Sequence, residues 1–308
     1  MSALRQSLAD YLALRRELGY KLDRAGRLLA QFVDFCDELD AEVVTVDLAL
    51  AWATMPEECS PGWGAFRLCP VRCFARYLHA LDPRTGVPPT SLLPGGYGRA
   101  VPYLYSSDQV AAMMAAAGWI RSALRAATME AVVGLLSCTG VRIGEALALD
   151  RADVDLAQGL LTVHNTKFNK TREVPLHPTV AAHLAAYATK RDTLTPRAAE
   201  PAFFVSAAGT RVRYDNFHLA FKGLVRRAGV EARSERCRPR PHDLRHTFAV
   251  NTLVHWQREG TDVTAMLPSL STYMGHVDPA ATYWYLTGSP ELLGLAAERL
   301  EAAYGVEP

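Results

Sequence analysis

Long apolar runs are missing from this chain. The most apolar stretch, Ala131–Cys138, amounts to about two helical turns, far short of a bilayer. A helical membrane span is therefore not expected. The N-terminal residues are charged and amphipathic, with Arg5, Asp10, Arg15, Arg16 and Glu17, unlike a signal peptide. The expected location is the cytoplasm, with no membrane partner. Cysteine is sparse: Cys36, Cys59, Cys69, Cys73, Cys138 and Cys237 form no CxxC pair and accompany no histidine pair at zinc-finger spacing. That argues against a structural metal, and reduced thiols are expected. Cys69 and Cys73 are four apart, a spacing that packing on one helix face accounts for. An excess of either charge is also missing. The formal net charge is +1, so bulk electrostatics alone names no polyanionic ligand. There is no internal repeat or low-complexity tract, which argues against solenoids and arrays.

What is present suits an ordinary globular protein. With 308 residues, 49% of them hydrophobic and 21% charged, the chain is long enough for two domains. Apolar residues at three- and four-residue steps predict amphipathic helices through Leu4–Arg15 and Leu28–Phe35. Thr45 is positioned to cap a helix around Leu48–Trp52, and Phe66–Leu81 reads as another. Asp82-Pro83, Gly86, Pro88-Pro89 and Pro94-Gly95-Gly96 then break the pattern. This stretch reads as an interdomain linker, at about residues 82–100. The expected division is 1–96 and 101–308.

Beyond the linker, Ser106-Ser107-Asp108 starts a helix. Leu124–Cys138 predicts a long apolar helix, and Arg142–Leu149 a further one after Thr139-Gly140. Leu160–His164 and Arg172–Leu176 are β-prone runs around a polar loop, consistent with a hairpin, and Ala202–Ser206 suggests one more strand. Thr179–Lys190, Asp215–Ala228, Asp243–Trp256 and Pro290–Tyr304 return to helix. The fold class is mainly α with a small β-sheet (α+β).

Four polar clusters carry possible chemistry. Thr139-Gly140-Val141-Arg142-Ile143-Gly144-Glu145 sets an arginine at a helix start, where it can reach an anion. Glu145, three residues on, can hold its guanidinium; a surface ion pair is the alternative. Lys167 sits on the tip of the predicted hairpin, and an ammonium there can release a proton where an arginine cannot. A solvated turn would look the same. His242 and Arg245 share a helix face and together suit a phosphate. His246 is read on another face and is equally consistent with packing. Met274-Gly275-His276 precedes Tyr285 by nine residues, counted from the histidine. From Arg211 to Arg245 the chain holds ten Lys or Arg against four Asp or Glu, which fits a solvated basic face or a nucleic-acid contact.

In this order the set resembles the tyrosine recombinase family of phage integrases and Xer-type recombinases. Their pattern is arginine in a TGxRxGE context, lysine on a β-hairpin, HxxR, LGH, then tyrosine. The matching residues here are Arg142, Lys167, His242 with Arg245, His276 and Tyr285. The nine-residue step selects Tyr285 over Tyr283. The resemblance spans roughly residues 100–308, and the helical segment before it fits the family's core-binding domain by position. Two departures stand out. Leu286-Thr287 follows the tyrosine where Thr-His is common, and Phe168 replaces the second glycine of the lysine loop, which leaves Lys170 as an alternative lysine.

The resemblance implies cleavage and rejoining of double-stranded DNA at a specific site through a 3′-phosphotyrosine, with no metal or other cofactor. It also implies a homo-tetramer, or a hetero-assembly with related recombinases, on two DNA sites. Arg236, Arg238 and Arg240 are candidate phosphate contacts. The last helix, Pro290–Tyr304, would dock on a neighbouring subunit or on its own domain. Rival readings are a catalytically dead DNA binder, a type IB topoisomerase-like enzyme and a helical interaction module.

Overall fold

A computed structural model describes residues 2–55, 61–94, 101–164, 171–196, 199–276, 278 and 280–287, with short pieces at 292–294, 297–298 and 301. The chain divides into two compact units, Met1–Ala100 and Val101–Pro308.

The first unit is helical: α1 Ala3–Glu17, α2 Asp23–Glu38, α3 Val46–Thr54 and α4 Pro61–Leu81. Helix α1 opens where the Ser2 hydroxyl accepts the Arg5 N–H, and α3 where the Thr45 hydroxyl accepts the Leu48 N–H at 3.1 Å. The apolar stripes meet in a core built on Phe32, Trp52 and Phe74, each at most 1% exposed. The guanidinium of Arg67 lies 3.9 Å from the Trp52 ring centroid, so a buried cation is held partly by an aromatic face.

The second unit contains α5 Ser107–Ala116, α6 Ala123–Thr139, α7 Ile143–Ala148, α8 Pro178–Leu194, α9 Tyr214–Arg227, α10 Pro241–Arg258, α11 Val263–Met274 and α12 Ala280–Thr287. Ser106 and Gln109 form a capping box at the start of α5. Helix α6 is buried all round from Ala131 to Leu136, with Val132, Val133, Leu135 and Leu136 at most 1% exposed. It is therefore the central helix, packed by α5, α8 and α10. Three antiparallel strands, β1 Val154–Asp155, β2 Leu160–Val163 and β3 Arg172–Pro175, stand in the order β1-β2-β3. Leu161 pairs with Val174 and Val163 with Arg172, with Leu161, Val163 and Val174 turned into the core. Residues 101–105 are tied to the segment ahead of α10: Val101 N–H donates to Arg236 O, and the Tyr105 hydroxyl to Arg240 O.

Three features differ from expectation. Ala202–Ser206 makes isolated bridges, Asp150 with Ala202 and Val205 with Arg211, rather than a strand. Helix α11 was not expected, because Pro268 sits inside it. The proline removes one backbone donor, while Asp262 caps the first turn by accepting from Thr264 and Ala265. Helix α12 was not expected either, since its aromatic run carries no clear period. Of the expected helix Pro290–Tyr304, only Leu292–Gly294, Ala297, Glu298 and Glu301 fall among the described residues, and these are helical. No helix among the described residues is long and apolar enough to cross a membrane.

Candidate active site

The site is built on two helix ends. Helix α6 ends at Gly140 (φ 61°) and α11 at Gly275 (φ 67°), both in the left-handed region that glycine adopts without strain. At the end of α11, Gly275 N–H donates to Thr272 O and His276 N–H to Ser271 O, each at 2.9 Å. This is a Schellman turn, and it presents His276 as the first residue beyond. The last carbonyls of such a helix have no partner within it and carry partial negative charge. Here three arginines take up three successive ones. Arg172 Nε donates to Tyr273 O at 3.1 Å, Arg245 Nη2 to Met274 O at 2.7 Å, and Arg142 Nη2 to Gly275 O at 3.0 Å. Arg245 Nη1 also donates to Gly140 O at 2.6 Å, so it bridges both helix ends.

Glu145 faces two of these arginines. Its Oε2 accepts from Arg172 Nη2 and its Oε1 from Arg142 Nη1, each at 2.7 Å, and Arg142 N–H closes onto Oε2 at 3.0 Å. Burial pushes the Glu145 carboxyl up, but the Arg172 and Arg142 hydrogen bonds outweigh it and bring it to about 2. Arg245 is 2% exposed, and its hydrogen bonds among the described residues go to carbonyls. Burial, with Arg142 nearby, lowers it to about 10, so it stays charged at neutral pH. Three guanidiniums stand here against one carboxylate, and the surplus positive charge favours an anion. Each guanidinium has five N–H donors. Among the described residues Arg142 and Arg245 each direct two of theirs at protein acceptors, which leaves three for a ligand.

Helix α10 and helix α12 close the site. Tyr285 is 3% exposed. Its ring centroid lies 5.4 Å from His246 and 6.0 Å from His276, the latter pair stacked. Tyr283, two residues earlier, is 49% exposed. His242 is exposed, and its ring sits edge-on to His246 at 4.7 Å. The expectation that His246 lies on another face is thereby corrected: four residues along a helix is about one turn, so His246 lies beside His242 and carries the row on to Tyr285. Burial and then Arg245 and Arg142 lower His276 to about 4, so its ring is neutral at pH 7. Its Nδ1 is 2.6 Å from the Thr282 hydroxyl.

The structure brings Arg142, Arg245, His276 and Tyr285 together, with His242 joined to them through His246. Lys167 and Lys170 lie outside the described residues. Arg236 and Arg238 are exposed, whereas Arg240 is engaged through Nε and Nη2 by the buried Asp243. Arg172 was read only as the start of a strand. A signal was present: it lies two residues before the buried Val174 and so on the core-facing side of β3, an unusual place for a cation. Among the described residues no three His, Cys, Asp or Glu side chains are gathered as a metal-ion site.

Comparison with protein families matches residues 104–291 to the phage integrase family. The chain belongs to that family. This integrase-family chain is 44% identical to y4rB of Sinorhizobium fredii, named as an integrase/recombinase, over 98% of each protein. It is 30% identical to the tyrosine recombinase XerC of Azotobacter vinelandii, over 71% of this chain and 67% of that one. Its fold is that of the Tn1549 transposon integrase, solved in complex with a circular-intermediate DNA. The TM-score is 0.64 at 17% identity, covering 97% of this chain and 100% of that one. As an integrase-family member it shares the mainly helical, two-domain tyrosine recombinase fold.

Proposed function

We propose that this chain is a site-specific recombinase of a mobile element that cuts and rejoins DNA strands through Tyr285. The observation that carries the reading is a buried tyrosine together with three arginines, Arg245 buried and Arg142 and Arg172 partly buried, that carry a single carboxylate. A backbone phosphate between them would meet the free N–H groups of Arg142 and Arg245. Tyr285 attacks the phosphorus and forms a 3′-phosphotyrosine as the bond to the 5′-oxygen breaks. A phenol near pKa 10 is a weak nucleophile at pH 7 and needs a base, and His242 takes its proton. Arg142 and Arg245 neutralise the non-bridging oxygens in the transition state, where charge accumulates. Neutral His276 adds a hydrogen bond, and Lys167 protonates the leaving 5′-oxygen. Attack by another 5′-hydroxyl on the phosphotyrosine rejoins the strand and restores the tyrosine. Cationic side chains supply the charge neutralisation that metals supply in many nucleases, and the phosphotyrosine conserves the phosphodiester energy. The reaction therefore runs without metal or ATP, on a tetramer that pairs two DNA sites in the cytoplasm. The unit 1–100 contributes to binding duplex DNA, and Arg236 and Arg238 contact phosphates.

The test is a nicked duplex made from the ends of the chain's own genetic element, incubated without metal or ATP and then denatured. A protein–DNA adduct mapped to Tyr285, and lost in Tyr285→Phe, is the expected result. Replacing Arg142 or Arg245 by alanine should slow adduct formation by about a hundredfold or more. An adduct at Tyr283 would overturn the assignment of the nucleophile. Relaxation of supercoiled DNA lacking any specific site would favour a topoisomerase-like enzyme.

A further inference from the structure

Several helical threonines here use the hydroxyl differently from Thr282. In Thr128, Thr139, Thr247, Thr252 and Thr272 the hydroxyl donates to the carbonyl four residues back, at 2.7–3.0 Å. For Thr282 the carbonyl four residues back belongs to Asp278, which accepts from Ala281 N–H. Among the described residues the Thr282 side chain makes one hydrogen bond, the 2.6 Å contact with His276 Nδ1. Thr282 is 1% exposed, so water is not at hand as a substitute.

A hydroxyl has one proton. If the imidazole donated from Nδ1, the Thr282 proton would be buried without an acceptor, an arrangement that folded proteins avoid. If the hydroxyl donates, both groups are satisfied and the ring proton resides on Nε2. The ring is neutral at pH 7, because Arg142, Arg172, Arg245 and His242 surround it and it is partly buried, so one nitrogen carries a proton and the other does not.

We infer that Thr282 is a positioning residue: its hydroxyl donates to Nδ1 of His276 and fixes the ring as the Nε2–H tautomer. That leaves a neutral N–H donor for a phosphate oxygen, where the opposite tautomer would present a lone pair and repel it. The consequence for catalysis rests on the recombinase reading above; the tautomer itself does not.

The experiment therefore has two readouts, on the full-length wild-type, Thr282→Ser and Thr282→Val proteins. The first is the side-chain ¹⁵N spectrum of His276 in the free protein at pH 7. The second is the rate of covalent adduct formation on the nicked duplex, alongside affinity for the same DNA. The expected pattern is a proton on Nε2 in wild type and Thr282→Ser, and loss of that preference in Thr282→Val. The valine variant should form adduct about ten- to a hundredfold more slowly, the usual effect of losing a partner that orients a functional histidine. DNA affinity should be unchanged, and serine should restore the rate. A wild-type ring protonated on Nδ1 overturns the assignment, and so does a valine variant that keeps the Nε2 proton, whatever its rate. Failure of the wild-type protein to form adduct on any DNA would count against the recombinase reading, while the spectrum would still decide the role of Thr282.

Discussion

At the scale of single residues, Glu145 holds the site together. It is 11% exposed at the side chain and faces Arg172 and Arg142. Its carboxyl is held at about 2 in the folded protein against 4.5 in the free group. The stabilisation is therefore complete above pH 4.5 and is lost as the pH falls from 4.5 toward 2. A depression of this size corresponds to on the order of 3 kcal/mol. Glu145→Gln should be less stable than wild type by about that much at pH 6 in urea unfolding, and the gap should narrow by pH 3. A gap of constant size across that range would show that the ion pairs are not its source. The same substitution leaves two partly buried guanidiniums without their carboxylate, so adduct formation should fall with stability.

At the scale of elements, the site depends on how helices end. Gly140, Gly229 and Gly275 all follow helices with φ between 61° and 67°, so alanine at any of them is strained by about 1 kcal/mol. They differ in surroundings. A Cβ at Gly229 meets nothing within 4 Å, one at Gly140 would lie 2.4 Å from the Phe248 ring, and one at Gly275 would lie 2.8 Å from Arg172 Nη1. In urea unfolding Gly229→Ala should lose about 1 kcal/mol, and Gly140→Ala a further 1–3 kcal/mol from overpacking. Gly275→Ala should slow adduct formation as well, because it displaces Arg172 from Glu145. Equal losses at all three positions would mean that only backbone conformation matters there. The Thr139-Gly140 step was legible as an interruption of the helical pattern. What it accomplishes was not: its carbonyl accepts from Arg245, more than a hundred residues away in sequence.

At the scale of the whole molecule, the cores are separate. One is built from residues between Leu4 and Leu78, and the larger core of the second unit from residues between Tyr103 and Leu244. A core that draws its residues from one contiguous segment is the condition for independent folding. The fragment 101–308 should therefore unfold cooperatively by itself, with near-UV circular dichroism showing fixed aromatic packing. A fragment that binds a dye for exposed apolar surface and melts without a cooperative transition would reject the division.

Neighbouring residues alone are enough to predict the helices with clear apolar periods, a hairpin, the starts of α3 and α5, and, through the resemblance, a set that includes Arg142, Arg245, His276 and Tyr285. These rest on local rules, namely period, turn chemistry, capping and the order of a motif, and neighbours along the chain suffice to apply them. Only the tertiary structure decided that Tyr285 rather than Tyr283 is packed against the histidines, that His246 belongs to their row, and that Arg172, Arg245 and Arg142 converge on the carbonyls of residues 273–275. It also decided that Thr282 meets His276. The reason is physical. A buried cation needs acceptors, and which carbonyls lie within 3 Å of it is set by how α6, α10 and α11 pack, a relation between distant segments that no local pattern encodes.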